Sequence, residues 1–264
     1  MIVRLSGGLG NQLFQLGAAL YLSNLRGYSG IYLDVDYLGL YSVPRELELY
    51  KILNIDNVVK IRSNIVSRLR LPVHFSLNVG FWPFISDSNF VTILNYRKRV
   101  PVILDGYFQS CLSQNDFDSI LSLLKMHLIN KCYASDNVCV VHVRGSDFIA
   151  LGWDSLASKE YYIKAINIMR DKYKIQEYIV VTDDKEYAES LLSGFNCKIT
   201  IKSEDMLSDF NTISSYKMRI LSASTFALWA SALGNNAIGG AVFSPALFTP
   251  GVVRGFKLPN EVCF

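Results

Sequence analysis

Three times along this chain a short apolar run ends in a polar turn and passes at once into a helical pattern. Gly7-Gly8-Leu9-Gly10-Asn11-Gln12 follows the run over 1–6, His142-Val143-Arg144 with Asp147 closes 138–143, and Thr182-Asp183-Asp184 closes 178–182. Repeated strand, turn and helix restrict the chain to α/β folds with parallel sheets, because parallel neighbours need a crossover and the crossover is usually a helix. The polar residues then stand where open α/β sheets bind ligands, beside helix N-termini that present free N–H groups and a positive dipole end.

The first half begins as a βαβ unit. A helix is expected over 11–26, with Leu13, Leu16, Ala19 and Leu20 on one face; Gly27 and Gly30 close it, and the next strand covers 31–35. A further strand is expected at 102–104 and a helix at 114–128. The polar stretch 130–137 reads as a junction. Beyond it the pattern alternates cleanly: strand 138–143, helix 159–173, strand 178–182, helix 185–192 and strand 198–202. A short helix at 209–215, a strand at 220–222, a helix at 225–233 and a last strand near 237–239 complete it. The expected architecture is α/β, with two Rossmann-like domains, 1–130 and 131–264, facing across a cleft.

Half of the residues are apolar, which supplies a core and argues against general disorder. A net charge of +3 is too small to imply nucleic acid as a partner. No apolar run reaches the ~18 residues of a membrane-spanning helix, and Arg4 with the polar residues after it is unlike a secretory signal. The five cysteines are widely spaced without a C-x-x-C pair, so reduced thiols and a cytoplasmic setting are expected. The stretch 60–99 carries seven Lys/Arg against one acid, Asp87, around Phe81-Trp82-Pro83-Phe84. It reads as a solvated surface with some core packing, or as a patch resting on anionic lipid head groups.

Each motif has a plain reading beside a sharper one. The glycines at 7, 8 and 10 serve a tight structural turn or let a ligand approach the backbone. Gly8 and Gly10, with Asp34 or Asp36 at the end of the next strand, also match part of a dinucleotide fingerprint, but its third glycine position is Leu13. His142 is a satisfied core histidine or a site residue. Arg144 leaves a buried strand and needs an anionic partner: Asp147 in a structural ion pair, or a diphosphate that suits its forked guanidinium. One of Asp183 and Asp184 caps the following helix, which leaves the other for a sugar or base hydroxyl or for orienting Arg144. Paired acids without a D-x-D pattern, a nearby histidine or a third acid give no metal site.

Taken in order, these strings resemble the bacterial α-1,2-fucosyltransferases of glycosyltransferase family 11. The family opens G-G-L-G-N-Q-[ML]-F-Q, met by Gly7 to Gln15, and continues with G-Y-[FW]-Q-S, met by Gly106 to Ser110. Its H-x-R-R-G-D-[YF] is met by His142, Arg144, Asp147 and Phe148, and its [ST]-D-D by Thr182, Asp183 and Asp184. An Asp followed by S-S-F-S-W-W is met by Asp209 and by Ser224-Thr225-Phe226-Ala227-Leu228-Trp229. The departures are Gly145 for the second arginine, Ser146 for the glycine, Ala223 for an asparagine and Leu228 for the first tryptophan.

The resemblance implies a GT-B fold and inverting transfer of L-fucose from GDP-β-L-fucose to the 2-hydroxyl of a galactose-type acceptor in surface polysaccharide (O-antigen) synthesis. No cofactor or metal is implied; GDP-fucose is the donor substrate. The first domain would take the acceptor, a lipid-linked oligosaccharide, and the second would bind the donor. The enzyme is then cytoplasmic, or peripheral at the inner membrane face. In this scheme Arg144 stabilises the departing diphosphate and Asp147 is the best placed base. Asp183, Asp184 and Asp209 contact guanine or ribose or orient Arg144, with His142 beside them. Ser224 and Thr225 donate to phosphate oxygens, and Gly8, Gly10 and Asn11 close the cleft from the other domain. The rivals are an NAD(P)-dependent oxidoreductase built on the first βαβ unit, a transferase of the same fold using another nucleotide sugar, and an inactive sugar-nucleotide-binding protein.

Overall fold

The computed structural model describes residues 1–28, 30–39, 44–62, 84–94, 102–129, 137–195, 198–202, 204–245, 247–249 and 251–262. Most of the basic and aromatic stretch, Trp82 included, and most of the expected junction at 130–137 lie outside them. The chain divides into two compact units, Met1–Ile129 and Asn130–Phe264. Each carries its own parallel sheet.

The first unit contains β1 (Ile2–Arg4), α1 (Leu9–Arg26), β2 (Ile31–Asp34), β3 (Val59–Arg62), β4 (Phe84–Ile85), α2 (Phe90–Leu94), β5 (Ile103–Leu104) and α3 (Gln114–Lys125). The strand order is β3-β2-β1-β5-β4, with every neighbouring pair parallel. Helix α1 buries Leu9, Leu13, Leu16 and Leu20 and ends at Gly27, whose φ of 64° suits glycine and whose N–H reaches Ser23 O. A side chain on Gly17 would place its Cβ 2.4 Å from Ile120 Cγ2, so glycine permits α1 to lie close against α3. Helix α3 opens with a capping box between Ser113 and Asp116.

The second unit runs β6 (Val138–Val143), α4 (Ser146–Ala150), α5 (Lys159–Tyr173), β7 (Glu177–Thr182), α6 (Lys185–Leu191), β8 (Lys198–Lys202), α7 (Met206–Ser215), β9 (Met218–Ile220), α8 (Thr225–Leu233), β10 (Ala241–Phe243) and a small hairpin, β11 (Leu247–Thr249) and β12 (Val252–Val253). The parallel sheet has the order β10-β9-β6-β7-β8. The chain works outward from β6 through β7 to β8, then returns to β9 on the other side of β6. Between β6 and β9 the direction of winding reverses, and in such sheets ligands bind beyond the strand C-termini at that point. The β6, β7 and β9 residues that face α5 and α6 (Val141, Val180 and Ile220 among them) are fully or almost fully buried, and Tyr162, Ile166 and Met169 of α5 pack on them.

The helix expected over 114–128 ends at Lys125, and three boundaries in the second unit move as well. The last strand of the sheet is Ala241–Phe243, not 237–239: Gly239 takes a φ of 83°, which turns the chain before pairing with β9 can begin. Strand β9 ends at Ile220, two residues short of the expectation, and Leu221 and Ser222 lie beyond its pairing to β6. Helix α7 starts at Met206 because Asp205 accepts N–H bonds from Leu207 and Ser208, a cap one turn ahead of Asp209. Among the described residues no helix is long and apolar enough to cross a membrane.

Candidate functional site

The C-terminal ends of β6, β7 and β9 gather most of the second unit's motif residues. Arg144 follows β6 directly and its guanidinium pairs with two carboxylates. Nε and one terminal nitrogen form a bidentate pair with Asp147 at 2.9 and 3.0 Å, and Nη1 meets Asp183 Oδ2 at 2.9 Å. The aromatic ring of Phe148 lies 5.8 Å from the guanidinium carbon. A quarter of the Arg144 side chain remains exposed, against about half of Asp147's (25% and 49%). The group is therefore two carboxylates around one cation, open to solvent.

The two adjacent aspartates have separate jobs. Asp184 is the N-cap of α6, accepting the Tyr187 N–H at 3.0 Å. Asp183 turns the other way, accepting the Gly145 N–H at 2.9 Å as well as pairing with Arg144. These contacts clamp the start of α4 to the end of β7. The departures from the family motif fit this packing. A Cβ at Gly145 would stand 2.4 Å from Asp184 Cβ, so a larger residue there requires Asp184 to move. Ser146, where the family has glycine, takes a φ of 36°, in the left-handed region that glycine adopts more readily. Its hydroxyl donates to Asp183 O at 3.3 Å.

His142 is a core residue. It is 4% exposed, its Nδ1 lies 2.8 Å from Ser222 Oγ, and its backbone carbonyl accepts the Tyr162 hydroxyl. Burial, with the charge of Arg144 nearby, lowers its pKa to about 3, so the imidazole is neutral at pH 7. It is thus not exposed for ligand contact. Ser224 is the N-cap of α8 but its hydroxyl makes no capping bond, and Thr225 begins the helix. The Ser224 N–H instead reaches back to Ser222 O at 2.8 Å, which kinks the chain between β9 and α8.

Asp209 lies in the first turn of α7, which packs on β6 and β7. Desolvation, reinforced by Glu204 and Asp205, raises its pKa to about 6. A folded-state pKa above the unfolded one means that the native state holds the extra proton between about pH 4 and 6, so stability falls as pH rises through that window. Asp209→Asn should therefore raise the melting temperature at pH 7 by the equivalent of about 1 kcal/mol, a figure discounted for partial exposure. That gain should vanish near pH 4 in thermal melts; an equal gain at both pH values would contradict it.

In the first unit the glycine loop is braced by buried amides. Gly7 has a φ of 74°, and Gly8 precedes α1. Gln12 Nε2 donates to Gly7 O at 3.0 Å and Glu46 O at 2.8 Å, while its Oε1 accepts the Glu48 N–H. Gln15 spans Ser6 and Gly106, and Gln109 donates to Asn11 Oδ1 at 2.9 Å. Two motifs nearly a hundred residues apart thus meet at the ends of β1 and β5. Gly10 is buried inside α1. Asp34 is fully buried and accepts the Asp36 N–H, Asp36 stays half-buried, and Leu13 is core, so the dinucleotide fingerprint lacks its third glycine.

Residues that no motif singled out support these ends. Tyr162 bonds to a carbonyl near the end of β6 and Tyr161 to one just beyond β9, and Glu261 forms a buried pair with Arg254. Adjacent tyrosines in the first turn of a helix after a polar strand end were the available signal for the first pair. No local pattern marks the second.

Solved structures that resemble the chain include a family 9 glycosyl transferase of Veillonella parvula (TM-score 0.48, 10% identity, covering 100% of this chain and 86% of that one) and the Escherichia coli heptosyltransferase WaaC with ADP (TM-score 0.45, 12% identity, 100% and 92%). Among sequences, the O-antigen biosynthesis glycosyltransferase WbnK of Escherichia coli is 30% identical over 86% of this chain and 88% of its own. An alpha-1,2-colitosyltransferase of the same species is 23% identical over 90% and 89%. The model of glycosyl transferase family 11 matches residues 54–244, which takes in the ends of β5, β6, β7 and β9 and the start of α8. The chain belongs to glycosyl transferase family 11 and is a glycosyltransferase.

Proposed function

We propose that the protein transfers L-fucose, by inversion, from GDP-β-L-fucose to the 2-hydroxyl of a galactose-type sugar during O-antigen synthesis. The observation that carries the reading is Arg144: a permanently charged fork at the winding reversal of the second unit, a quarter exposed and held from behind by Asp183. In the transfer the acceptor oxygen attacks the anomeric carbon, the bond to the β-phosphate oxygen breaks, and the electron pair leaves with GDP. Charge develops on the diphosphate, where a preoriented cation and free N–H groups are most effective.

Asp147 occupies the bidentate edge of Arg144, so a diphosphate that takes that edge replaces a carboxylate. Asp147 is the exchangeable partner, being the more exposed, while Asp183 is fixed by the Gly145 N–H. Displaced, Asp147 becomes an unpaired carboxylate beside the incoming acceptor, the role of the base. Ser224 and Thr225, at the N-terminus of α8, face phosphate oxygens in this reading, and Asp209 and Asp184 are left for the nucleoside. Donor binding needs no metal here, since arginine and helix N–H groups supply the positive charge. The GT-B arrangement, the lipid-linked acceptor and peripheral contact with an anionic inner membrane surface belong to the same proposal.

The relative named for colitose transfer favours a second reading, a different GDP-linked sugar on the same site. Melts with GDP, UDP, ADP and NAD test the nucleotide. GDP at about a hundredfold excess over its Kd should stabilise the protein by about 2.7 kcal/mol, and the others far less. Hydrolysis of GDP-fucose against GDP-colitose then tests the sugar. Stabilisation by NAD and not by GDP would overturn the donor assignment.

A further inference from the structure

The registered pairs between β6 and β9 end at Val141↔Ile220. The next residues on the two strands are His142 and Leu221, and neighbouring tyrosines take both of their carbonyls. Tyr162 donates to His142 O at 2.9 Å and Tyr161 to Leu221 O at 2.7 Å. The side chains that follow are tied across the gap as well, His142 Nδ1 lying 2.8 Å from Ser222 Oγ. The two phenol rings meet edge to face, with centroids 5.1 Å apart, so the pair is one packed unit at the start of α5. Two residues on from His142 is Arg144; two on from Ser222 is Ser224.

We propose that Tyr161 and Tyr162 are positioning residues for the nucleotide site, setting the separation of the β6 and β9 ends and through them the reach from Arg144 to the start of α8. The inference rests on the donor reading above. Its physical basis is that a site split between two strand ends is only as well ordered as the gap between them, and binding groups lose effect when displaced by fractions of an ångström. Within the sheet, ladder hydrogen bonds hold such a gap. Past the last pair that job falls to side chains, and here it falls to two tyrosines of one helix that bond the backbone on both sides, beside the His142–Ser222 contact. Burial keeps both phenols well above the ordinary tyrosine range, so they remain donors at every pH the protein meets.

The test is Tyr161→Phe/Tyr162→Phe, which keeps both rings and removes both hydroxyls, with each single variant beside it. Tyr178→Phe is the control: its hydroxyl donates to Ile166 O at 3.2 Å and Ile175 O at 3.3 Å near the start of β7, away from the strand C-termini. The double variant should bind GDP about tenfold more weakly by calorimetry and raise the donor KM to match, with the acceptor KM unchanged. Tyr178→Phe should lower the melting temperature comparably and leave the GDP affinity alone. Unchanged GDP binding in the double variant would overturn the inference, and so would equal weakening by Tyr178→Phe. Failure of wild type to bind any nucleoside diphosphate would instead remove the donor reading, and the inference with it.

Discussion

Arg144→Ala is expected to reduce donor turnover by about 10²–10³-fold, the range typical of removing one charge-stabilising group from a transfer reaction. Its melting temperature should stay near that of wild type, because the guanidinium and its partners are partly exposed and such pairs contribute little to stability. Arg144→Lys should recover only part of the loss, since a point charge cannot hold a diphosphate through two parallel N–H bonds. The competing view is that Arg144 serves only to neutralise Asp147 and Asp183. The two views separate on Asp147→Asn. If diphosphate and Asp147 compete for the same fork, removing the carboxylate should tighten GDP binding in calorimetry while slowing sugar transfer. If the pair is purely structural, the variant should bind GDP as wild type does. Single-turnover hydrolysis of GDP-fucose reads the chemistry apart from release; a rate for Arg144→Ala within a few-fold of wild type would remove Arg144 from the mechanism.

Much of this arrangement is legible in the chain, for reasons that differ residue by residue. Strands β6 and β7 are six residues long and each holds a run of four apolar residues, so their ends announce themselves, and the polar residues after those runs fall at the sheet's ligand edge. The same rule fails for β10, three residues long and preceded by Ile238, an apolar residue that is fully exposed on a glycine turn. Adjacent acids at 183 and 184 signal a cap and something else, yet which does which depends on the Asp184 backbone adopting the extended conformation of a cap. The Arg144–Asp147 pair is a three-residue spacing that closes through the irregular turn into α4, where Gly145 has φ −109° and ψ −120° and Ser146 a φ of 36°. His142 reads equally well as a ligand or as core until its Ser222 partner, eighty positions away, is known. Gln12 and Gln15 illustrate the opposite case: a motif that looks functional is partly mechanical, two buried amides holding a loop in shape.

Glu261→Ala is expected to destabilise the protein by about 3–5 kcal/mol, the usual consequence of removing one partner of a buried ion pair. The Glu261 side chain is 1% exposed and that of Arg254 6%. The carboxylate takes bonds from Arg254, from the Ser244 hydroxyl and from the Leu258 N–H. Without it, Arg254 keeps the Ser244 oxygen at 2.8 Å and Pro245 O at 3.2 Å among its contacts, and its charge stays buried with no carboxylate from Glu261. The consequence reaches the sheet, because the same segment covers its edge: Val242 donates to Asn260 O at 2.9 Å and Val262 to Val242 O at 2.8 Å. Strand β10, paired to β9 on its other side, loses that cover when the segment detaches. A melting temperature lower by roughly 10 °C is the expected reading. Arg254→Met/Glu261→Leu separates the loss of a pair from the stranding of a charge, and should recover most of the stability because neither partner is then left unpaired. If Glu261→Ala melts within a degree or two of wild type, the pair is not what holds the segment. If the double variant is no better than the single, the polar bonds to Ser244 and Leu258 matter more than the charge.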